Sequence, residues 1–390
     1  MSVQPFSHSA EALRAAVRRF VEEHAIPNEA PDLANDPVRL DAVLKRLREG
    51  AKAAGIYAPQ LPASLGGLGL SWRQRAGILE EAGRSFLGPG ALNCAPPDQP
   101  NMISLIEQGT QAQRDRYLAP LIAGEIRSCF AMTEPAPGAG SDPSMLRTTA
   151  TRDGSDWVLN GHKWFISGAI GAAFAIVLAK TAEGPTLFLV DADRPGYQVL
   201  RNIGSMDVYQ IGGHGEIMLE DCRVSGDCVL GEIGRGLQYI QVRLEPARLS
   251  HCMRFVGRAV RALEIARDYA LQRESFRERL SNLQQTQAFV ADSHIDLHAC
   301  RLMIADCAEK LDAGRSVKDE TAMAKVFVSE AVWRIADRAV QMMGARGISD
   351  DTPVSMILRE SRAFRIYDGA NELHRSTLAR RIFQSRAATG

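Results

Sequence analysis

Residues 359–375 read Arg-Glu-Ser-Arg-Ala-Phe-Arg-Ile-Tyr-Asp-Gly-Ala-Asn-Glu-Leu-His-Arg. An Asp-Gly pair ordinarily marks a turn. Here Asp368-Gly369 follows a cluster of arginines, Arg359, Arg362 and Arg365. The surroundings are helical: apolar residues recur at helical spacing from about Gly236 nearly to the end. Leu249–Gln272 and Gln287–Leu311 lack internal proline and have lengths suited to a helix bundle. On residue chemistry alone, Asp368 is a carboxylate on a turn inside a predominantly helical C-terminal region.

Moving toward the N-terminus, the periodicity changes. Trp157-Val-Leu-Asn-Gly-His-Lys-Trp164-Phe-Ile reads as strand, Asn-Gly turn, strand. Ala175–Ala179, Thr186–Val190 and Tyr197–Leu200 add short strands separated by Pro and Gly, which predicts a small antiparallel barrel or sandwich of roughly a hundred residues. From Ala10 to about Arg127 the pattern is helical again. Leu13, Val17, Phe20 and Val21 share one stripe, and Leu40, Val43, Leu44 and Leu47 repeat it. The order is helices, sheet, helix bundle. No Gly-x-Gly-x-x-Gly follows a strand, which argues against a doubly wound nucleotide fold.

The chain has 390 residues, too many for one ordinary core, so two or three domains are expected. The formal net charge is zero, which gives no ground for nucleic acid or an anionic membrane as a bulk partner. The run from Gly168 to Ala179 is too short to span a bilayer, and the first residues lack the pattern of a signal peptide. Seven cysteines form no Cys-x-x-Cys, and their odd number argues against a full disulfide framework. Cys300 and Cys307 are expected as small core residues on one side of a helix. A reducing cytoplasm is the expected compartment.

Residues 129–142, Cys-Phe-Ala-Met-Thr-Glu-Pro-Ala-Pro-Gly-Ala-Gly-Ser-Asp, read as a strand end and a small-residue loop. Such a loop lets backbone N–H groups approach a polar ligand, though it also suits a plain surface turn. Lys163-Trp-Phe-Ile-Ser-Gly168 offers aromatic residues that, alone, read as strand core. Arg273-Glu-Ser-Phe276, Gln284 and Gln341-Met-Met-Gly344 lie in the C-terminal helices, and an arginine there can pair with a pyrophosphate.

Taken together with residues 359–375, these segments resemble the acyl-CoA dehydrogenase family, from Glu11 to Arg381. Asn93–Asp98 with Asn101 and Met102, His251–Arg254 after Arg248, and Glu372–His374 look most like its members ten and eleven. The resemblance implies an α+β multidomain protein. Its parts would be an N-terminal helical domain (1–127), a small antiparallel β-barrel or sandwich (128–236) and a C-terminal four-helix bundle (237–390).

It also implies FAD as cofactor. Phe130, Met132, Thr133, Phe165 and Ser167 would meet the flavin. Arg273, Phe276, Gln284, Gln341 and Gly344 would hold the adenosine diphosphate half for a neighbouring subunit, hence a homodimer or homotetramer. Ala370 and Glu372 would complete the cofactor site. Ser141, Glu245, Arg248, Tyr367 and Gly369 would contact an acyl-CoA substrate. Asp368 stands where the family carries a catalytic glutamate, one methylene shorter. Ala247 stands where some members keep the base instead, and alanine cannot act as one. Ala345 replaces a glycine usual after Gly344.

The implied reaction is α,β-dehydrogenation of an acyl-CoA thioester. Asp368 would take the α-proton, with oxyanion-hole binding of the thioester oxygen through its N–H, and electron-transfer flavoprotein would be the acceptor. Aspartate also suits nitroalkane oxidases of the same architecture, because a nitroalkane is a stronger carbon acid. A non-catalytic flavin-binding homologue is the third expectation.

Overall fold

The computed structural model describes residues 9–387 apart from 31, 34, 35, 141, 208 and 276, with side chains to residue 384. They fall into two compact units. One comprises residues up to 31, 49–92 and 248 onward; the other comprises 32–48 and 93–247. The helices before residue 127 are therefore shared between the two.

In the first unit two helices begin on side-chain caps. Ser9 accepts from the Ala12 N–H at the start of Ala10–Phe20, and Ser71 and Gln74 form a capping box on Trp72–Gly83. Ala10–Phe20 buries Leu13, Val17 and Phe20. The long helices are Gly236–Gln272, which runs through Pro246, Gln284–Asp312 and Lys318–Met343, followed by Val354–Phe364 and Asn371–Ala387. The division between units falls just after Pro246.

Lys318–Met343 buries Ala324, Val328, Ala331, Val332, Ile335 and Ala339, small residues among larger ones that let helices approach closely. Phe255 and Phe364 stack with centroids 4.4 Å apart. Trp72–Gly83 meets Gly236–Gln272 backbone to backbone. A Cβ on Gly83 would stand 2.0 Å from the Arg254 carbonyl oxygen, and one on Gly257 would stand 2.0 Å from that of Glu80. Buried arginines complete this crossing: Arg258 Nε pairs with Glu360 at 3.1 Å, and Arg261 Nη1 with Glu29 at 2.6 Å.

The second unit holds an eight-stranded sheet: β1 (Ser128–Ala131), β2 (Thr149–Asp153), β3 (Asp156–Ser167), β4 (Phe174–Thr181), β5 (Gly184–Asp191), β6 (Tyr197–Asn202), β7 (His214–Val224) and β8 (Val229–Leu230). Its order is β6-β7-β3-β2-β4-β5-β8, with β1 beside β4. Pairings are antiparallel except β1–β4 and β2–β4. Trp157, Leu159, Ile166, Phe188, Ile217 and Leu219 form the centre of its core. Phe174–Ala179 is buried along its whole length, as a strand covered on both faces must be.

One local expectation is corrected. Asn160-Gly161 does not turn the chain; it lies inside β3, at a register shift against β7. The Asn160 amide exchanges hydrogen bonds with Asp221, donating to Oδ1 (3.2 Å) and accepting from the N–H (2.8 Å). Glycine is needed at 161 because a Cβ would stand 2.3 Å from Thr148 Oγ1. The reversal occurs earlier, at Gly154 with φ 64°. Among the described residues no helix is long and apolar enough to cross a membrane. All seven cysteines are free, and Cys300 and Cys307 are buried.

The glycine crossing yields a direct test. Gly257→Ala should destabilise the protein by about 1–3 kcal/mol or more in denaturant unfolding. Gly140→Ala, with nothing within 4 Å of the added atom, should stay within about 0.5 kcal/mol of the parent.

Candidate functional site

The first cluster is built around Asp368, in the unit that contains the C-terminal helices. After Val354–Phe364 ends, Asp368 (φ 55°) and Gly369 (φ 90°) take left-handed backbone conformations, and Asn371 opens the next helix. Such a conformation is strained for a non-glycine residue and persists only when its surroundings enforce it. Here they do. Arg248 Nε donates to the Asp368 carbonyl oxygen at 3.0 Å, and His374 Nε2 to the same oxygen at 3.1 Å. Fully buried Lys325 donates to the Gly369 carbonyl and to Asn371 Oδ1, both at 2.8 Å. The Asp368 carboxylate accepts from His251 Nδ1 through Oδ2. A carboxylate only accepts here, so His251 carries its proton on Nδ1.

Around this group lie the rings of Phe255, Phe364 and Tyr367, with the Tyr367 centroid 5.4 Å from that of His251. Burial pushes His374 down to about 4, with Arg248 adding to the effect, so it is neutral near pH 7. Burial likewise lowers Lys325 to about 8, against the pull of Asp368, and lowers His251, again against Asp368.

The second cluster belongs to the sheet unit. At the end of β1 the loop wraps around Glu134. Its carboxylate accepts from the backbone N–H of Ala139 (3.0 Å), Arg147 (2.8 Å) and Thr148 (2.8 Å), from Thr148 Oγ1 (2.5 Å) and from Lys163 Nζ (2.9 Å). Burial alone would raise Glu134, but the Lys163 ammonium and these donors hold it near 2. Lys163 is lowered to about 8 by its burial, and also donates to the Met132 carbonyl at 3.0 Å.

Thr133 is tied to the next strand from both sides. Its hydroxyl donates to the Trp164 carbonyl at 2.7 Å, and the Trp164 N–H donates to its own carbonyl at 3.1 Å. Between Lys163 and Ile166 the β3–β7 register shifts, and Phe165 takes φ 51° with the residue 46% exposed. A large apolar side chain left open on a bulge is uncommon. Beside it, Ser167 Oγ lies 3.0 Å from His214 Nδ1, and His214 Nε2 lies 3.0 Å from Asp207 Oδ2. The exposed Phe165 side chain, with Thr133 bonded to its neighbour Trp164 and Ser167 two residues further on, is the part of this cluster that a planar ring could cover.

The remaining expected residues are placed as follows. Phe130 is half-buried under the Arg243 guanidinium, 4.0 Å from its ring centre. Arg273, Gln284, Gln341 and Gly344 are all exposed. Gly344 has φ 57° and ψ −133°, open to glycine, and a Cβ added there would meet no atom within 4 Å. Glu245, Tyr367 and Ala370 are half-buried, and the Glu372 side chain is 78% exposed. Ser141 and Phe276 lie outside the described residues. Sequence reasoning gave no role to His251, Lys325, His374, His214 or Asp207. The signals available were that His251 and His374 fall in segments resembling members ten and eleven, and that His251 follows Arg248 by three residues on one helix.

The chain matches the family descriptions "Acyl-CoA dehydrogenase, N-terminal domain" over residues 7–125, "middle domain" over 129–222 and "C-terminal domain" over 234–383. It is 36% identical to acyl-CoA dehydrogenase family member 11 of Gallus gallus, over 96% of this chain and 50% of that protein. It is 33% identical to (R)-benzylsuccinyl-CoA dehydrogenase of Thauera aromatica, over 95% of this chain and 94% of that protein. An acyl-CoA dehydrogenase from Geobacillus kaustophilus shares the fold with a TM-score of 0.86 and 27% identity, over 98% of this chain and 100% of that one. The chain spans about half the length of the family member 11 relatives it matches.

The loop around Glu134 predicts a pH-dependent loss. Glu134→Gln should cost about 3–5 kcal/mol near pH 7, because it leaves the Lys163 ammonium buried without a charged partner. A carboxylate held near 2 contributes stability above its ordinary range and loses it as pH falls toward 2. The melting difference between variant and parent should therefore narrow between pH 5 and pH 2.5.

Proposed function

The chain belongs to the acyl-CoA dehydrogenase family, and we propose that it introduces an α,β double bond into an acyl-CoA thioester with Asp368 as the base. The observation that carries this reading is the Asp368 carboxylate, lifted on a left-handed turn and held there by Arg248, His374, Lys325 and His251. No other carboxylate in the matched base positions is present, since Ala247 occupies the alternative place.

FAD is the cofactor of the family, and bound here it supplies the acceptor for the β-hydrogen, which leaves as hydride. Thr133, Phe165, Ser167, Met132 and Phe130 would hold the flavin ring. Arg273, Gln284, Gln341 and Gly344, with Phe276, would hold the adenosine diphosphate half of a neighbouring subunit's FAD. Ala370 and Glu372 would sit beside it, and Ser141, Glu245, Arg248, Tyr367 and Gly369 would line the path of the acyl-CoA.

The steps assigned to the chain are modest. Asp368 accepts the α-proton, and its short side chain demands that the α-carbon come closer than a glutamate would require. A misplacement of about 1 Å can cost on the order of a hundredfold. Aspartate has an ordinary pKa of about 3.9, so a substrate that buries the site or carries an activated α-carbon suits it best. Electron-transfer flavoprotein is the proposed acceptor of the electrons. Free cysteines, six of them buried, fit a reducing cytoplasm.

Asp368→Asn should keep its flavin and bind ligand yet fail to bleach when acyl-CoA is added without oxygen, a loss of about a hundredfold to ten-thousandfold. Full bleaching by that variant would remove Asp368 as base. Bleaching of the parent by nitroalkanes but not by acyl-CoAs, with rapid reoxidation by oxygen, would replace the dehydrogenase reading with an oxidase one.

The purified protein should be yellow and oligomeric. Arg273→Ala should release FAD more readily while its far-ultraviolet circular dichroism stays that of the parent. A monomer that retains FAD at nanomolar concentration would contradict the shared-site reading.

A further inference from the structure

We propose that His251 is the positioning residue of the base: its Nδ1–H holds Oδ2 of Asp368 and so sets the orientation in which the carboxylate meets the substrate's α-carbon. The inference rests on the reading of Asp368 as the base. It concerns a residue to which neither the family match nor the sequence assigned a role.

The backbone and the side chain of Asp368 are held by different groups. Arg248 and His374 fix its carbonyl oxygen, and Lys325 fixes the next one. None of those bonds selects a side-chain rotamer, and a short carboxylate can rotate among staggered positions. His251 acts on the carboxylate itself, through Oδ2.

It is also well placed to resist movement. It sits on the same helix as Arg248, three residues later, so one helix face grips the carbonyl and the carboxylate together. The imidazole is buried, with the rings of Phe255, Phe364 and Tyr367 packed around it at 5.4–6.4 Å between centroids.

The charge state follows from the neighbours. Arg248 and Arg254 lie on its own helix, Lys325 comes from Lys318–Met343, and neutral His374 from Asn371–Ala387. Burial, with the positive charges of Arg254 and Lys325, lowers His251 against the opposing pull of the Asp368 carboxylate, and so disfavours a second proton on the ring. A neutral imidazole with Nδ1–H is a donor at that atom, so it cannot take the abstracted proton there. The α-proton stays on Asp368 while the C–H electron pair remains with the substrate. A donor bound to the carboxylate also favours its charged form, keeping the base deprotonated to lower pH.

His251→Asn and His251→Leu separate donor from packing. The Asn amide nitrogen is attached to Cγ, as Nδ1 is, and can donate from nearly the same place; Leu fills the space without a donor. Each FAD-loaded variant is assayed with acyl-CoA across pH, and in D2O with an acyl-CoA bearing sulfur in place of the β-carbon. That compound has no β-hydride to lose, so deuterium uptake at the α-carbon reports proton removal alone. Asp368→Asn runs in parallel.

His251→Leu should lower kcat and α-exchange by about a hundredfold with KM nearly unchanged, and shift the acidic limb of the profile to higher pH. His251→Asn should recover most of both rates and the parent's acidic limb. Equal impairment of the two variants, or a parent-like profile for His251→Leu, overturns the proposal. Exchange that survives Asp368→Asn overturns the base reading instead.

A measurement on the unmutated protein stands independently of whether the variants fold. The 15N shifts of His251 should report a neutral Nδ1–H ring from pH 7 to 8. A neutral Nε2–H ring or an imidazolium would overturn the proposal.

Discussion

A buried ammonium group underlies each of the two segments on which the proposed chemistry depends. Lys325 bridges the Gly369 carbonyl and Asn371, and so fastens the turn that carries Asp368. Lys163 bridges Met132 and Glu134, and so fastens the loop that carries Thr133. Both are fully buried, and burial lowers both to about 8. Beside each stands a non-glycine residue with left-handed backbone, Asp368 in one unit and Phe165 in the other. Such residues cost of order 1–3 kcal/mol each and tend to gather at working sites. The lysines are rigid, multiply bonded anchors that hold this strain in place, which a surface lysine could not do.

Local signals along the chain carried most of the architecture. The stripe of Leu13, Val17 and Phe20 became a helix with those residues buried, and the Asp368-Gly369 pair became a turn between helices. Family motifs then pointed to the fold and its cofactor. Contacts between residues far apart in the chain stayed hidden. His251 lies 117 residues before Asp368 and Lys325 lies 44 before the Gly369 it holds. A lone histidine or lysine on a helix carries no sign of such a partner. Asn160-Gly161 shows the opposite failure. A strong local signal for a turn was overridden because Thr148 packs against the glycine and Asp221 engages the asparagine. Ser167 falls between the two cases: its hydroxyl was legible as a motif position, while the His214–Asp207 pair behind it was not.

Replacing glutamate by aspartate at the base would be a small edit on an unconstrained chain. Here the turn is gripped by donors from three helices, Gly236–Gln272, Lys318–Met343 and Asn371–Ala387. The shorter side chain cannot be compensated by a sliding backbone. With Asp368 as the proposed base, adjustment would fall to the substrate, and the substitution would act as a filter on acyl groups rather than as a uniform loss of power.

Phe165 carries a consequence of a different kind. Its half-exposed apolar side chain and left-handed backbone burden the folded chain, a cost that a flat molecule laid over the side chain would offset. Any molecule that binds only the folded form adds RT ln(1 + [L]/Kd) to its stability, about 2.7 kcal/mol at a hundred times Kd. With a flavin as the proposed cover for Phe165, the chain's lifetime in a cell would be tied to vitamin supply: when riboflavin ran short, proteolysis would thin the population before any substrate ran out.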